Sequence, residues 1–247
     1  MENKISAEKI LPYNQTTSKG EQVETMFDSI AGKYDFLNHT LSFGIDKIWR
    51  RKGINMLKKD SPKQILDVAT GTGDLAIRAF KQLKPEHIFG IDISEGMMDV
   101  ARQKVKEMGF SDQIIFDKQD CMNLLLEEAS FDAVMVAFGV RNFENLRQGL
   151  KEIRRVLKPG GKLMILELTT PQTFPMKQLY TFYSSIFIPT VGKMVSKSSE
   201  AYTYLPQTIK AFVQGEEMRQ VMLDCGFSTA IYKKYTFGIC TMYLATK

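Results

Sequence analysis

A chain of 247 residues, 44% of them hydrophobic, holds one full α/β domain with an added lid, and this composition excludes global disorder. A formal charge of +5 tolerates an anionic surface but is too small to point to nucleic acid, and no nucleic-acid partner is expected. Cys121, Cys225 and Cys240 are widely spaced and form no CxxC or Cys/His cluster, so no metal is expected and reduced thiols in a cytoplasmic protein are the simpler reading.

In chain order, residues 1–20 are polar and aperiodic and read as a flexible N-terminal arm. The opening MENKISAEKI has no apolar h-region and no run of about 18 apolar residues follows, so neither a signal peptide nor a membrane span is expected. Residues 21–59 read as helical pieces that form a lid. Val23, Met26, Phe27 and Ile30 recur at spacings of three and four, and a second piece, Ile45 to Leu57, carries Ile48 and Trp49. Pro62 ends this stretch. QILDVA (64–69) is a short apolar run that reads as a buried strand, Asp74 to Leu83 as a helix, and HIFGID (87–92) as the next strand. Ser94 is placed to N-cap a helix that runs to Met108, with Gly109 as its stop. IIFDKQD (114–120) and FDAVMVAF (131–138) are further strands. Asn142 to Leu157 has a helical stripe, KPGG (158–161) ends it, and KLMILEL (162–168) is the fifth strand.

Residues 172–215 break the rhythm. They are rich in aromatics and Met, are interrupted by Pro175, Pro189 and Pro206, and read as a helical insertion. A helix from Glu216 to Cys225 resumes the alternation. Two strands, FSTAIYKKY and GICTMYLAT, then meet at Thr236–Gly238, and so short a turn makes them antiparallel. The β-α-β alternation predicts a mostly parallel sheet covered on both faces, in a single domain over 21–247.

The chemistry centres on DVATGTGD (67–74), which follows a strand and opens a helix. Gly71 and Gly73 let the backbone turn sharply and approach a ligand closely. Asp92 ends the next strand at the distance where a carboxylate accepts both ribose hydroxyls. Gly71, Gly73 and Ala76 also satisfy the dinucleotide pattern, so the loop alone leaves NAD open. Two features favour S-adenosylmethionine. Asp67, near the end of the first strand, is awkward beside a pyrophosphate but suits an ammonium and a sulfonium. The closing antiparallel pair is unlike a dinucleotide domain.

On MFDSIAGKYDFLNHTLSFGIDKIWRR (26–51), ILDVATGTGD (65–74), GIDISEGMM (90–98), FGVRN (138–142), RRVLKPGG (154–161), LELTTP (166–171) and AYTYLP (201–206), the chain resembles the menaquinone/ubiquinone biosynthesis C-methyltransferases, a family of class I methyltransferases. The resemblance implies a Rossmann-like seven-stranded sheet with one antiparallel strand. It implies S-adenosylmethionine as cofactor, with Thr72, Asp92, Asp120 and Cys121 as contacts. Ala137 stands where the family often has Ser, so no contact is carried over to it. The implied reaction is methyl transfer to a ring carbon of a polyprenylated quinol, with demethylmenaquinol preferred and a benzoquinol, another small molecule or RNA as alternatives. A neighbouring hydroxyl must lose its proton, and Arg141, Asn142 and Tyr34 are the candidates to assist. Asn142 is equally a candidate N-cap for the helix after it. The aromatic stretch YDFLNHTLSFG (34–44) is expected to cover the acceptor. The cluster Lys47, Arg50, Arg51 and Lys52 is expected to favour peripheral contact with the inner face of the membrane.

Overall fold

Strands that are apolar on both faces must be covered on both faces, and the central strands alternate accordingly. A computed structural model of the chain describes residues 5–13, 15–184 and 200–247. In β1 (Gln64–Val68), Leu66 and Val68 enter one core while Ile65 enters the other. In β4 (Phe131–Ala137), Val134 and Val136 face the first core while Ala133 and Met135 face the second. The first core is closed by α5 (Leu146–Val156) and α8 (Glu216–Asp224). The second is closed by α2 (Ile45–Asn55), α3 (Asp74–Leu83) and α4 (Glu95–Glu107).

The sheet has seven strands in the order β3-β2-β1-β4-β5-β7-β6, where β2 is His87–Asp92, β3 Ile114–Lys118, β5 Leu157–Leu168, β6 Thr229–Tyr235 and β7 Cys240–Thr246. Every neighbouring pair is parallel except those made by β7, which runs antiparallel to both β5 and β6. This is the expected class I methyltransferase sheet with its single reversed strand. The order reverses between β1 and β4, so the cleft at their C-terminal ends is where a ligand binds in such sheets.

The N-terminal lid is built from α1 (Lys19–Leu41), one continuous helix of 23 residues, and α2. Ser18 caps α1, its hydroxyl accepting from the Glu21 amide while the Glu21 carboxylate accepts from the Ser18 amide. The apolar face of α1, with Val23, Met26 and Ile30, packs on Met97 of α4 and on Ala201 and Tyr204 of α7 (Glu200–Ala211). The insertion supplies α6 (Met176–Phe182) and α7. Pro189 and the rest of 185–199, part of that expectation, lie outside the described residues. No helix among the described residues is long and apolar enough to cross a membrane.

Three local expectations are corrected. The arm at 1–20 is docked over residues 5–13: Ala7 is buried in the first core, and Glu8 Oε1 accepts from the Leu146 amide at 2.8 Å. That partner lies 138 residues away, beyond any local pattern. Helix α5 begins at Leu146 rather than Asn142, because Asn145 Oδ1 accepts from the Gln148 amide at 3.0 Å while Val140–Asn142 forms a separate 3-10 turn. KPGG does not sit outside the fifth strand: β5 starts at Leu157, and the register with β4 jumps from Phe131–Leu157 to Ala133–Lys162 around those residues.

Candidate active site

The chain leaves the paired ends of β1 and β4 through unusual backbone. Ala69 (φ 53°) and Phe138 (φ 62°) are left-handed without being glycine, a cost of order 1–3 kcal/mol each that persists where the surroundings over-determine it. Gly139 permits the close approach, since a Cβ there would stand 2.6 Å from Ala69 Cβ. Between these ends lies a cavity, open to solvent, whose wall includes Gly71, Asp92, Asp120, Cys121 and Asn142. Gly71 has φ 56°, and nothing lies within 4 Å of where its Cβ would point, so the loop presents bare backbone to the cavity.

The expected cofactor residues divide into two groups. Asp92 is on the wall, with Oδ2 accepting from the Gly71 amide at 2.8 Å and Oδ1 from the Ser94 amide at 2.9 Å. Burial pushes its carboxyl up, against the pull of the Ser94 and Gly71 amides. Asp120 and Cys121 are also on the wall, and burial, then Asp120 and Asp92, push the Cys121 thiol well above its ordinary range, so it packs as a neutral group. Thr72, Gly73 and Asp67 do not line the cavity. Thr72 donates to Asp35 Oδ1 at 2.5 Å, and Gly73 packs against Ala101 and Phe116. Asp67 lies beneath the loop, with Oδ2 accepting from the Thr70 hydroxyl at 2.7 Å and Oδ1 buried without a hydrogen-bond partner.

Replacing Asp92 with Ala removes a charged acceptor from the wall. A hydrogen bond to a charged group is worth roughly 1.5–3 kcal/mol, so affinity for S-adenosylmethionine is expected to fall about ten- to a hundredfold by calorimetry. Unchanged affinity in a folded variant would take Asp92 out of the site.

Asp67 gives a pH prediction. Burial, only partly offset by Thr70, raises its carboxyl from 3.8 to about 7. A folded pKa above the unfolded one means the unfolded state binds fewer protons between those values. The stability that Asp67 contributes is therefore present below pH 4 and lost as pH rises through about 7, with a slope of at most about 1.4 kcal/mol per pH unit. Melting curves from pH 4.5 to 8 are expected to show Asp67→Asn gaining on the parent protein as pH rises. A pH-independent difference would refute this assignment.

The lid is fastened to the cofactor loop by residues not anticipated as site elements. Asp35 of α1 accepts from Thr72 and, at 2.9 Å, from Lys104 Nζ, which also donates to the Thr72 carbonyl and to Asp74. Asp28 accepts from the Ser94 hydroxyl at 2.6 Å and the Gly96 amide at 3.0 Å. Val23, Phe27 and Tyr34 of the same helix complete the cavity wall.

A second, mostly apolar pocket, open to solvent, adjoins the first, and Tyr34 and Phe138 line both. Arg141 is in its wall. Its Nη1 donates to the Phe138 carbonyl and, at 2.7 Å, to Glu167 Oε1, while Glu167 Oε2 accepts the Arg141 amide at 3.3 Å. Burial would lower the guanidinium pKa, but Glu167 together with the nearby Tyr34 and Tyr204 outweighs it, and the group keeps its charge. Glu167 is 0% exposed, and its importance was invisible in sequence because its partner is 26 residues away. Asn142 faces the first cavity and not the second; its Oδ1 is buried without a partner. Tyr34 stacks edge-on with Phe27 at 5.9 Å, and burial raises its hydroxyl pKa, so it is a neutral phenol. Arg50 belongs here too and not to a surface cluster: it is buried, paired with Asp46, and lines the second cavity. Lys47, Arg51 and Lys52 remain exposed.

The wall of the first cavity fits S-adenosylmethionine: a bare-backbone loop, carboxylates at Asp92 and Asp120, and an unpaired acceptor at Asn142. With the single reversed strand, this defines a class I S-adenosylmethionine-dependent methyltransferase. Solved structures agree on the fold. A SAM-dependent methyltransferase of Thermotoga maritima superposes with TM-score 0.64 at 20% identity, covering 90% of this chain and 99% of that one. The [4+2]-cyclase SpnF superposes with TM-score 0.66 at 16% identity, covering 92% and 96%. The second neighbour is a reminder that fold alone does not name a reaction. The model of the ubiE/COQ5 methyltransferase family matches residues 15–247, and the chain belongs to that family. It is 60% identical to the demethylmenaquinone methyltransferase of Bacteroides fragilis, covering 97% of this chain and 98% of the relative. It is 48% identical to that of Porphyromonas gingivalis, covering 98% and 99%. Identity is 40% to a ubiquinone/menaquinone biosynthesis C-methyltransferase of Geobacter sulfurreducens, covering 97% and 93%.

Proposed function

We propose that the chain methylates a ring carbon of demethylmenaquinol to give menaquinol. The observation that carries this reading is the second cavity: large, mostly apolar, and joined to the cofactor cavity at Tyr34 and Phe138 with Arg141 in its wall. The names of the Bacteroides and Porphyromonas relatives favour the naphthoquinol over a benzoquinol.

Bound S-adenosylmethionine supplies a methyl group made electrophilic by its sulfonium. The protein's task is to make the acceptor carbon nucleophilic and to align it with that methyl. Arg141 serves the first. It cannot be the base, because a guanidinium does not give up its proton near neutral pH. Held by Glu167 and the Phe138 carbonyl, it stabilises the oxyanion left when a ring hydroxyl gives its proton to water; once the carbon is methylated its own hydrogen leaves as a proton to water and the ring regains aromaticity. Tyr34, neutral and shared by both cavities, donates to the acceptor or to a water between them. Asn142, placed on the cofactor side, orients the cofactor rather than the acceptor. Asp92, Asp120 and the Gly71 backbone hold the nucleoside end, and Asp67 sets the charge beneath the loop.

The prenyl tail leaves through the apolar end of the second cavity. Phe43 and Leu179 line that cavity yet are 76% and 59% exposed, and Phe182 of α6 is 66% exposed. These side chains suit a peripheral contact with the bilayer that holds the acceptor. Flotation with anionic vesicles is expected to capture the parent protein, with Phe43→Ser and Phe182→Ser together cutting capture at least about threefold. Equal capture would refute the contact.

The function is tested by incubating the protein with methyl-labelled cofactor and demethylmenaquinol, with a 2-methoxy-6-polyprenyl benzoquinol and bulk RNA in parallel. Label in menaquinol is the expected result. Label only in RNA or only in the benzoquinol would replace this reading.

A further inference from the structure

Arg141 is not the only buried guanidinium in the acceptor cavity. Arg50 of α2 lines the same cavity and is paired through Nη1 with Asp46. Both arginines are anchored on one residue. Arg141 donates to the Phe138 carbonyl, and the Arg50 guanidinium lies 5.2 Å from the Phe138 ring centroid. Both act electrostatically on the Tyr34 hydroxyl. Each also leaves its Nε buried without a hydrogen-bond partner. Those Nε atoms are shielded from the cavity itself; the Nη2 of each arginine makes no hydrogen bond among the described residues and is not so shielded, and it is the donor each can offer to a group in the cavity. Asp46, which also accepts from Ser42 Oγ at 2.7 Å and meets His39 Nδ1 at 2.9 Å, engages only the Nη1 of Arg50 and leaves the rest of the guanidinium unused.

Resting on the quinol reading above, we propose that Arg50 is the second oxygen-binding residue of the acceptor cavity. Arg141 holds the ring oxygen beside the reacting carbon. Arg50 holds the oxygen across the ring, and the Phe138–Tyr34 wall packs on the ring between them. The cavity therefore selects a ring with two opposed oxygens over a ring with one.

The test compares demethylmenaquinol with a 3-prenyl-1-naphthol, which keeps the hydroxyl beside the reacting carbon and lacks the far one. Trp49, the chain's single tryptophan, lines the cavity, so its fluorescence reports acceptor binding without turnover. The parent protein is expected to bind the quinol at least about tenfold more tightly than the naphthol. Arg50→Lys keeps a charge opposite Asp46 and loses the guanidinium fork. In it the preference is expected to collapse to about one, with S-adenosylmethionine affinity retained as the sign of a folded protein. Should that variant not bind cofactor, the double variant Asp46→Asn/Arg50→Gln, which removes both charges together, is measured instead. A parent protein without the preference, or a preference preserved in the folded variant, overturns the proposal. Binding preference with no methylation of demethylmenaquinol would instead count against the proposed reaction and leave Arg50's role standing.

Discussion

Arg141→Lys is expected to lower turnover of bound cofactor about a hundredfold while leaving S-adenosylmethionine affinity within about twofold of the parent. Removing one well-placed donor to a developing oxyanion costs about 10²–10³ in rate. Lysine keeps the charge but cannot hold Glu167, the Phe138 carbonyl and the acceptor at once, as the planar fork does. Lysine is the informative choice because alanine would leave Glu167 buried and unpaired, and breaking such a pair costs about 3–5 kcal/mol of stability. Single-turnover kinetics separate the two quantities. A variant that binds cofactor poorly yet turns over the bound fraction normally would move Arg141 from the acceptor to the cofactor. Affinity is expected to hold because Arg141 lines the acceptor cavity only.

The pieces of this site were unequally legible. Helix α3 and strand β2 have the bounds read from sequence, because DLAIRAFKQL and HIFGID carry their periodicity and stop signals locally. Gly71 and Asp92, read from the glycine loop and the strand end that follows it, line one pocket with Asp120, which was implied only by the family resemblance. Asn142 and Asn145 could not be separated by pattern alone. Both are good caps, and only the 3-10 turn at Val140–Asn142 decides that Asn145 takes the role and Asn142 turns to the cofactor side. Thr72, implied as a cofactor contact by the family resemblance, donates its hydroxyl to Asp35 of the lid, a partner 37 residues away that no local pattern shows. Arg50 was read as surface charge, yet Asp46, Trp49, Arg50, Gly53 and Ile54 are the buried face of α2. Their spacing of 3, 4, 7 and 8 from Asp46 was a readable signal that Arg50 points inward with Trp49. Glu167 had no such signal. It sits in a strand that is apolar on either side, and its worth appears only when β5 is laid beside the turn after β4.

The acceptor's oxidation state should matter more than any single side chain. A quinone ring is electron-poor, its carbonyls draw density from the carbon to be methylated, and it has no hydroxyl proton to lose. A quinol is electron-rich, and more so once ionised. The site is arranged for the second state: a permanently charged guanidinium, held by Glu167, faces the cavity where an oxyanion would form. Tyr34 is kept neutral by burial and so does not compete for that charge. With S-adenosylmethionine bound, anaerobic assays are expected to give rates on chemically reduced demethylmenaquinol at least about a hundredfold above those on the oxidised form, a difference of about 2.7 kcal/mol or more in barrier. Below the acceptor's own ionisation the rate should climb with pH, by no more than about tenfold per unit, because each added increment of phenolate is held by a group that does not titrate in that range. In Arg141→Lys the climb should persist at a lower level, since the proton lost belongs to the acceptor. Equal rates on the two oxidation states would overturn the phenolate route, and with it the roles given to Arg141 and Tyr34.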